Sequence, residues 1–384
     1  MKALKKTFLN GYVYFMRMIY GVKKDKVVFD SFHGKYYSDN PKCISEALHE
    51  HKPDVKIYWV FQNPEEKQVQ IPDYIHCIKA SDMFAMYKHL ATAGVLVSNF
   101  ALHILPKSKK QMFIQTWHGD KAFKKILHDS TFASQEFFVP EQIPGYCDLA
   151  VAGSEYGKKQ YESAFRYTGK ILMEGTPRND RLVQNDPQLC KELKKALNLS
   201  ADTKFLLYAP TLRREAGQTK QKQKIQDLDI SATLDLLEKK DGCKWNCLLR
   251  AHPAMKGLTG VAEDNRIIDT SGHEDMADLL LISDMLITDY SSCAGDFAVL
   301  KRPVILYQAD RQEYLEKDRT FYFEMEDSPY LIAEDQQQLE DIIIGITPET
   351  AAENCREILK FYGDCETGHA SQTVAKIIKD WLEK

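Results

Sequence analysis

The chain has 384 residues, 44% hydrophobic and 28% charged, with 19 glycines and 14 prolines; this excludes a lone small module or a disordered chain and predicts two folded domains. Lysine and arginine total 51 against 55 acidic residues, for a net charge of −4, so no global basic field exists and nucleic acid is excluded as a sequence-independent partner. Nine scattered cysteines, an odd number with no paired zinc-ligand spacing, read as reduced thiols of a cytoplasmic protein rather than as a metal site.

The first 26 residues depart from the average. Lys2, Lys5, Lys6, Arg17, Lys23, Lys24 and Lys26 are opposed only by Asp25, a net +6 that leaves −10 for the rest. Between them lie Phe8, Leu9, Tyr12, Val13, Tyr14, Phe15, Met16, Met18, Ile19 and Tyr20, and the longest uncharged run, Thr7–Met16, is half the length needed to cross a bilayer. No small-residue cleavage site follows, so a signal peptide fits poorly. Two readings suit an aromatic helix flanked by cations: an interfacial anchor on anionic lipid, or a helix packed on its own domain.

From Val27 onward, short β-rich runs alternate with amphipathic stretches, the pattern of βα units and parallel sheet. Strands are expected at Val27–Phe32, Lys56–Phe61, Ile75–Lys79, Gly94–Ser98 and Met112–Thr116, with helices at Asn40–His49 and Ser81–Thr92. Leu149–Ala152 precedes a probable helix start at Gly153-Ser154-Glu155-Tyr156, and Asp180–Thr203 reads as a helix and connector. The alternation restarts with strands at Phe205–Ala209, Asn246–Arg250, Arg266–Asp269, Met285–Thr288 and Val304–Tyr307, and helices at Ile230–Lys239, Met276–Ile282 and Gly295–Leu300. The expected organisation is an N-terminal helix over 1–26 and two Rossmann-like α/β domains facing across a cleft. These would span 27–179 and 180–384, with the last helix packing back on the first domain. Gly217–Lys224 reads as a mobile polar loop.

The candidate chemistry sits at strand ends. In Thr288-Asp289-Tyr290-Ser291-Ser292 a buried strand ends in hydroxyls before a new helix, a junction suited to phosphate; Thr288 and Asp289 would shape the turn and Ser291 and Ser292 donate, or Ser would simply cap the helix. Arg250 and His252 flank Ala251 where another strand stops at Pro253. A cation and an imidazole there suit a diphosphate whose leaving phosphate gains charge. Tyr208-Ala209-Pro210-Thr211, followed by Arg213, repeats the logic. In the first half, Trp117-His118-Gly119 ends an apolar strand, and the imidazole of His118 suits a general base. Lys121, Lys124 and Lys125 follow as contacts for an anionic acceptor, or as a solvated helical face. Gly175, Pro177, Arg178 and Asp180 mark a turn near the domain connection, where Arg178 and Asp180 would pair. Phosphate-loop, nucleophile-elbow, zinc-helix and G-x-G-x-x-G signatures are missing from the sequence.

In this order, Trp117-His118-Gly119, Gly153-Ser154, Gly175-Thr176-Pro177-Arg178-Asn179-Asp180, Tyr208–Thr211, Arg250-Ala251-His252-Pro253 and Thr288–Ser292 resemble the CDP-glycerol glycerophosphotransferase family of teichoic acid synthesis. The similarity extends to Ser31–Lys42 and to Leu300–Pro303. The resemblance implies a GT-B-like fold, an acceptor-side first domain and a donor-side second one. It also implies peripheral attachment to the cytoplasmic face of the membrane, and transfer of polyol phosphate from CDP-glycerol or CDP-ribitol to a lipid-linked hydroxyl with release of CMP. His118 is similar to the family's base and His252 to the histidine acting on the departing CMP. Arg250, Ser291 and Ser292 would contact the donor, with Thr288, Asp289, Tyr208, Pro210, Thr211 and Arg213 around it, and Gly119 and the lysines would face the acceptor. Positioned cations and dipoles imply no obligatory cofactor, with Mg²⁺ allowed alongside the donor diphosphate. A primase, a compact polymerase and a capsule enzyme all fit the length. A GT-B glycosyltransferase, a nucleotide-sugar epimerase and a nucleotide-sensing envelope scaffold stand as rivals.

Overall fold

The structure, a computed structural model, describes residues 2–67, 71–100, 106–130, 146–213, 227–251, 264–317 and 320–384. The chain divides into two compact units: the first holds residues 1–120, 134–180 and 365–384, the second 121–133 and 181–364. Residues 121–133 group with the second unit, which differs from the expected boundary, and residues 365–384, which carry the last helix, group with the first.

In the first unit, β1 (Lys23–Asp30), β2 (Lys56–Phe61), β3 (Ile75–Lys79), β4 (Ala93–Ser98), β5 (Met112–Gln115), β6 (Leu149–Ala152) and β7 (Lys170–Met173) form one sheet in the order 3-2-1-4-5-6-7. Every pairing in it is parallel. A parallel sheet needs cover on both faces. Val27, Phe29, Trp59, Val95, Ile114 and Val151 meet Ile44, Ala47 and Leu48 of α2 (Asp39–His51) and Val374 and Ile378 of the C-terminal helix Ala370–Leu382 in one core. Each such side chain contributes about 1.5–3 kcal/mol on burial. Asp180 holds that last helix in place, its carboxylate accepting from the N–H groups of Ala370 (2.8 Å) and Ser371 (2.7 Å).

The second unit repeats the plan with β8 (Lys204–Ala209), β9 (Trp245–Leu249), β10 (Ile267–Asp269), β11 (Met285–Thr288), β12 (Val304–Tyr307) and β13 (Leu331–Ala333), ordered 10-9-8-11-12-13 and all parallel. Leu206, Leu249, Ile287 and Ile305 pack with Leu234 and Leu237 of the helix Ile230–Asp241. The expected strands fall within a few residues of the observed ones, while β6 is an addition inside the first sheet and β7 and β13 are additions at the sheet edges. Gly217–Lys224 lies outside the described residues.

The N-terminal segment forms α1 (Lys2–Tyr20), which packs on α3 (Met83–Thr92). Leu9, Val13 and Met16, spaced to share one helical face, are buried. Arg17 reaches from that face to the carbonyl of Ala91 (3.0 Å) and to Gln111 (2.7 Å). The other flank leaves Phe8 62% and Met18 76% exposed, with Phe15 and Ile19 between them. Both readings of this helix thus find a face. The basic count needs correction, because Arg17 is bonded internally and Lys26 is buried inside β1. Among the described residues no helix is long and apolar enough to cross a membrane.

Candidate active site

In an open parallel sheet, ligands bind beyond the strand C-termini where the strand order reverses. In the first unit that point lies between β1 and β4, and two connections there, after β1 and after β5, run through left-handed backbone. Phe32 and His33 follow β1 at φ +49° and +56°, Asp39 opens α2 at +65°, and Trp117 follows β5 at +48°. Such conformations cost of order 1–3 kcal/mol each and persist only where surrounding bonds over-determine them.

Those bonds are on hand. The Asn99 side chain accepts from the N–H of Phe32 (2.9 Å) and donates to Asp39 (3.1 Å) and Ser31 (3.3 Å). Asn40 donates to the carbonyl of Trp117 at 3.0 Å and accepts from the N–H of Arg178 at 3.0 Å. The Arg178 guanidinium in turn reaches Asp39 at 3.3 Å. Asn40 and Asp39 thus tie the start of α2 to the end of β5.

His118 is what this scaffold positions. Its ring lies 5.1 Å from Phe32, 5.2 Å from Phe100 and 4.1 Å from Trp117, and its Nδ1 is 2.8 Å from the carbonyl oxygen of Asn99. A carbonyl only accepts, so Nδ1 carries the proton and Nε2 is the basic nitrogen. Burial is the largest influence on the imidazole and lowers its pKa below the ordinary value; the Asn99 bond and Asp39 oppose this, and Arg178 adds to it. The ring is therefore neutral near pH 7, as a proton acceptor must be.

Gly119 is buried, and Asp120 accepts from the N–H of Gly153 (2.9 Å) and the hydroxyl of Ser154 (2.6 Å), which itself caps α4 (Glu155–Ser163). The Gly153 and Gly175 motifs have a common cause in Glu366. A Cβ on Gly153 would come within 2.4 Å of that carboxylate, and one on Gly175, already at φ +106°, within 2.7 Å. Glu366 accepts from the N–H of Thr176 (2.8 Å) and from Asn179 (2.8 Å). Gly175, Pro177, Arg178 and Asp180 are thus framework, and the expected pairing of Arg178 with Asp180 gives way to Arg178–Asp39 and to Asp180 capping the last helix.

In the second unit the reversal lies between β8 and β11, where Ala209, Pro210 and Thr211 meet Thr288 and Asp289. Asp289 accepts from the N–H of Thr211 (3.0 Å) and of Tyr290 (2.6 Å), and Thr288 donates to the carbonyl of Ala209 at 2.6 Å. Arg213 donates to Asp289 (2.8 Å), Asp310 (2.7 Å) and the carbonyl of Thr211 (2.7 Å) and lies 5.0 and 4.9 Å from the rings of Tyr290 and Tyr314. Burial works against its charge, but Asp289 and Asp310 outweigh that and hold the guanidinium charged. Arg213, Asp289 and Thr288 therefore frame the turn at this strand end.

Two further assignments change. Tyr208 is packed into the core of its sheet, its carbonyl accepting from the N–H of Arg250 (2.8 Å). Lys121 is fully buried in the second unit with its ammonium 3.0 Å from Asp364, a structural cation rather than an acceptor contact. Lys124 pairs with Phe321 in an antiparallel bridge and sits 5.7 Å over the ring of Tyr314, and the N–H of Lys125 donates to the carbonyl of Thr320 at 2.9 Å. Arg250 donates to the carbonyl of Ser271 at 2.6 Å. Ser291 and Ser292 are half-buried at the start of the helix Cys293–Phe297, with Ser291 Oγ accepting from the N–H of Cys293 (3.4 Å). His252 lies outside the described residues. The sequence reading overlooked Asp39, Asn40, Asn99, Asp310 and Glu366; Asp39 and Asn40 stand inside the Ser31–Lys42 segment that carried part of the resemblance.

Two parallel sheets of Rossmann type in one chain, with polar groups collected at each order reversal, define a GT-B-like transferase. The family model of CDP-glycerol:poly(glycerophosphate) glycerophosphotransferase matches residues 12–380, and the chain belongs to that family. A teichoic acid glycerol-phosphate transferase of Staphylococcus aureus (strain NCTC 8325 / PS 47) is 35% identical over 92% of this chain and 93% of that protein. A teichoic acid poly(glycerol phosphate) polymerase of Bacillus subtilis (strain 168) is 32% identical over 85% of this chain but only 44% of its own length, so this chain spans less than half of that polymerase. A histidine-to-asparagine variant of the wall teichoic acid polymerase TagF, soaked with CDPG, matches with a TM-score of 0.82 at 28% identity, over 98% of this chain and 94% of that one.

Proposed function

We propose that the chain transfers glycerol phosphate from CDP-glycerol to a hydroxyl of a lipid-linked teichoic-acid-type acceptor, with His118 as general base. The acceptor oxygen attacks the phosphorus that carries glycerol, and the new P–O bond forms as the bridging P–O bond to CMP breaks. His118 Nε2 takes the hydroxyl proton, and CMP leaves with the electron pair of the broken bond. The observation that carries this reading is the neutral imidazole at the reversal point of the first sheet, its Nδ1 fixed by the Asn99 carbonyl at 2.8 Å. Ser291, Ser292 and Arg250 are the donor-side groups, and His252 is assigned to the departing phosphate. The reading needs no obligatory cofactor and allows Mg²⁺ alongside the donor's diphosphate.

The exposed aromatic flank of α1 is assigned to the cytoplasmic membrane surface, where apolar side chains enter the headgroup boundary and neighbouring lysines meet anionic lipid. Incubation of the purified chain with CDP-glycerol or CDP-ribitol and a lipid-linked disaccharide tests the reading by mass spectrometry. Release of CMP with one added glycerol phosphate supports it. Transfer of a sugar, or nucleotide binding without CMP release, overturns it.

A further inference from the structure

The opposite edge of the first sheet, at the strand N-termini, gathers positive charge without a matching partner. We propose that Lys26, Lys88 and His89 build a phosphate-binding site there around the ring of Tyr58, separate from the catalytic end and independent of the catalytic reading.

Lys26 is only 7% exposed, and its ammonium lies 4.9 Å over the Tyr58 ring. It donates to Thr92 Oγ1 at 2.8 Å, and that hydroxyl passes its own proton to the carbonyl of Lys88 at 2.8 Å. An ammonium has three N–H donors; Thr92 takes one and the Tyr58 ring faces another, which leaves one for a ligand. His89 lies against the same ring, 4.5 Å between centroids, with a buried Nδ1 that has no hydrogen-bond partner. His76 lies on the ring at 4.9 Å, and the Lys88 ammonium sits 4.4 Å over Tyr20 at the end of α1. Asp25, the carboxylate in the same strand as Lys26, is already bonded to Lys56 at 2.9 Å, and Asp54 and Asp148 at this edge are paired with Lys52 and Lys107.

Crowding and burial act on Lys26 as expected for a cation that lacks a counter-charge, and they keep the neighbouring His89 imidazole neutral near pH 7. Burial and then Lys88 pull Lys26 down to about 8, with Lys23 adding to this and Asp25 opposing it; burial, Lys26, Lys88 and His76 pull His89 down to about 4. Buried charges are retained where they are paired, and a phosphate supplies several acceptor oxygens and the missing negative charge at once. Lys23, exposed at the start of β1, adds long-range attraction.

Phosphate of this kind comes free in solution or on a lipid headgroup, and the test separates the two. The full chain is titrated calorimetrically with inorganic phosphate, and in parallel sedimented with phosphatidylglycerol or phosphatidylcholine vesicles. The same is done for Lys26→Met and Lys88→Gln. The wild-type chain is expected to bind one more equivalent of phosphate than Lys26→Met, and Lys88→Gln to weaken that event about tenfold, the effect of one lost charge-assisted bond. In the NMR titration of the wild-type chain, phosphate is expected to raise the His89 pKa by about one unit or more, as a close opposite charge does. If the natural source is a headgroup, both variants also lose sedimentation with phosphatidylglycerol and not with phosphatidylcholine; if it is free phosphate, sedimentation is unchanged while the calorimetric and NMR effects stand. Equal phosphate binding by all three proteins, or a His89 pKa that phosphate does not move, overturns the site. Lys88 is half-exposed, so its variant and the His89 titration decide the matter even if Lys26→Met does not fold.

Discussion

The two units share a strand order around the reversal point but finish it in opposite chemistry. At the end of the first sheet the backbone is strained, the ring neighbours are aromatic, and an imidazole has its Nδ1 bonded to the Asn99 carbonyl. At the end of the second, Arg213 is closed between Asp289 and Asp310 and stacked on Tyr290 and Tyr314, and the hydroxyl of Thr288 is bonded to Ala209. The contrast separates the residue proposed to act from residues that hold the turn. A cation next to a strand end whose charge is matched by a carboxylate from another part of the chain serves the fold first, and in the second unit Asp310 and Asp364 match Arg213 and Lys121.

The largest test of that division is His118→Ala. Loss of the base is expected to lower CMP release about 10²–10⁴-fold while donor binding is retained, measured by steady-state kinetics beside calorimetric titration with CDP-glycerol. Turnover within a few-fold of wild type would remove His118 from the chemistry. Arg213→Met probes the other side. It strands two buried carboxylates, so the expected loss is about 3–5 kcal/mol of stability, read from urea denaturation. A variant as stable as wild type but unable to bind donor would return Arg213 to the ligand-binding set. Arg178→Met sharpens the contrast within the first unit. Arg178 lowers the His118 pKa and pairs with Asp39, which raises it, so its removal acts upward twice. The acid limb of the pH–rate profile is expected to move to higher pH, a change that a purely structural loss of activity would not produce.

Most of the fold was legible because buried parallel strands announce themselves. Lys56–Phe61, Ile75–Lys79, Met285–Thr288 and Val304–Tyr307 are apolar runs that end at turn residues, and they match the observed strands residue for residue. The edge strands Lys170–Met173 and Leu331–Ala333 are four and three residues long and mostly half-exposed, so no apolar run marks them. At the site, His118, Ser291 and Ser292 stand out because motif and strand end coincide. The partners that decide what neighbouring charges do come from far along the chain. Glu366 meets Thr176 across 190 residues, and Asp310 meets Arg213 across 97. No local pattern carries that information, which is why Arg213, Lys121 and Tyr208 read as contacts and fold as framework.

The smallest expected effect concerns Asp30, the last residue of β1, whose carboxyl is fully buried and accepts from Ser98 at 3.2 Å. Burial raises its pKa to about 7, against hydrogen bonds from Ser98 and from the backbone of Gly34 and His33. In the unfolded chain the same group ionises near 4. Between about pH 4 and 7 the folded state therefore holds a proton that the unfolded state has released, and stability falls as pH rises through that window before levelling off above it. Asp30→Asn keeps an acceptor for the Ser98 hydroxyl and removes the titration. Its denaturation midpoint is expected to match wild type near pH 4 and to exceed it at pH 8, where the wild-type chain carries a buried charge. Equal midpoints for the two proteins at both pH values would mean that Asp30 is solvated enough to ionise freely. The first sheet's strand end would then lack the water-poor surroundings that the neutral state of His118 depends on.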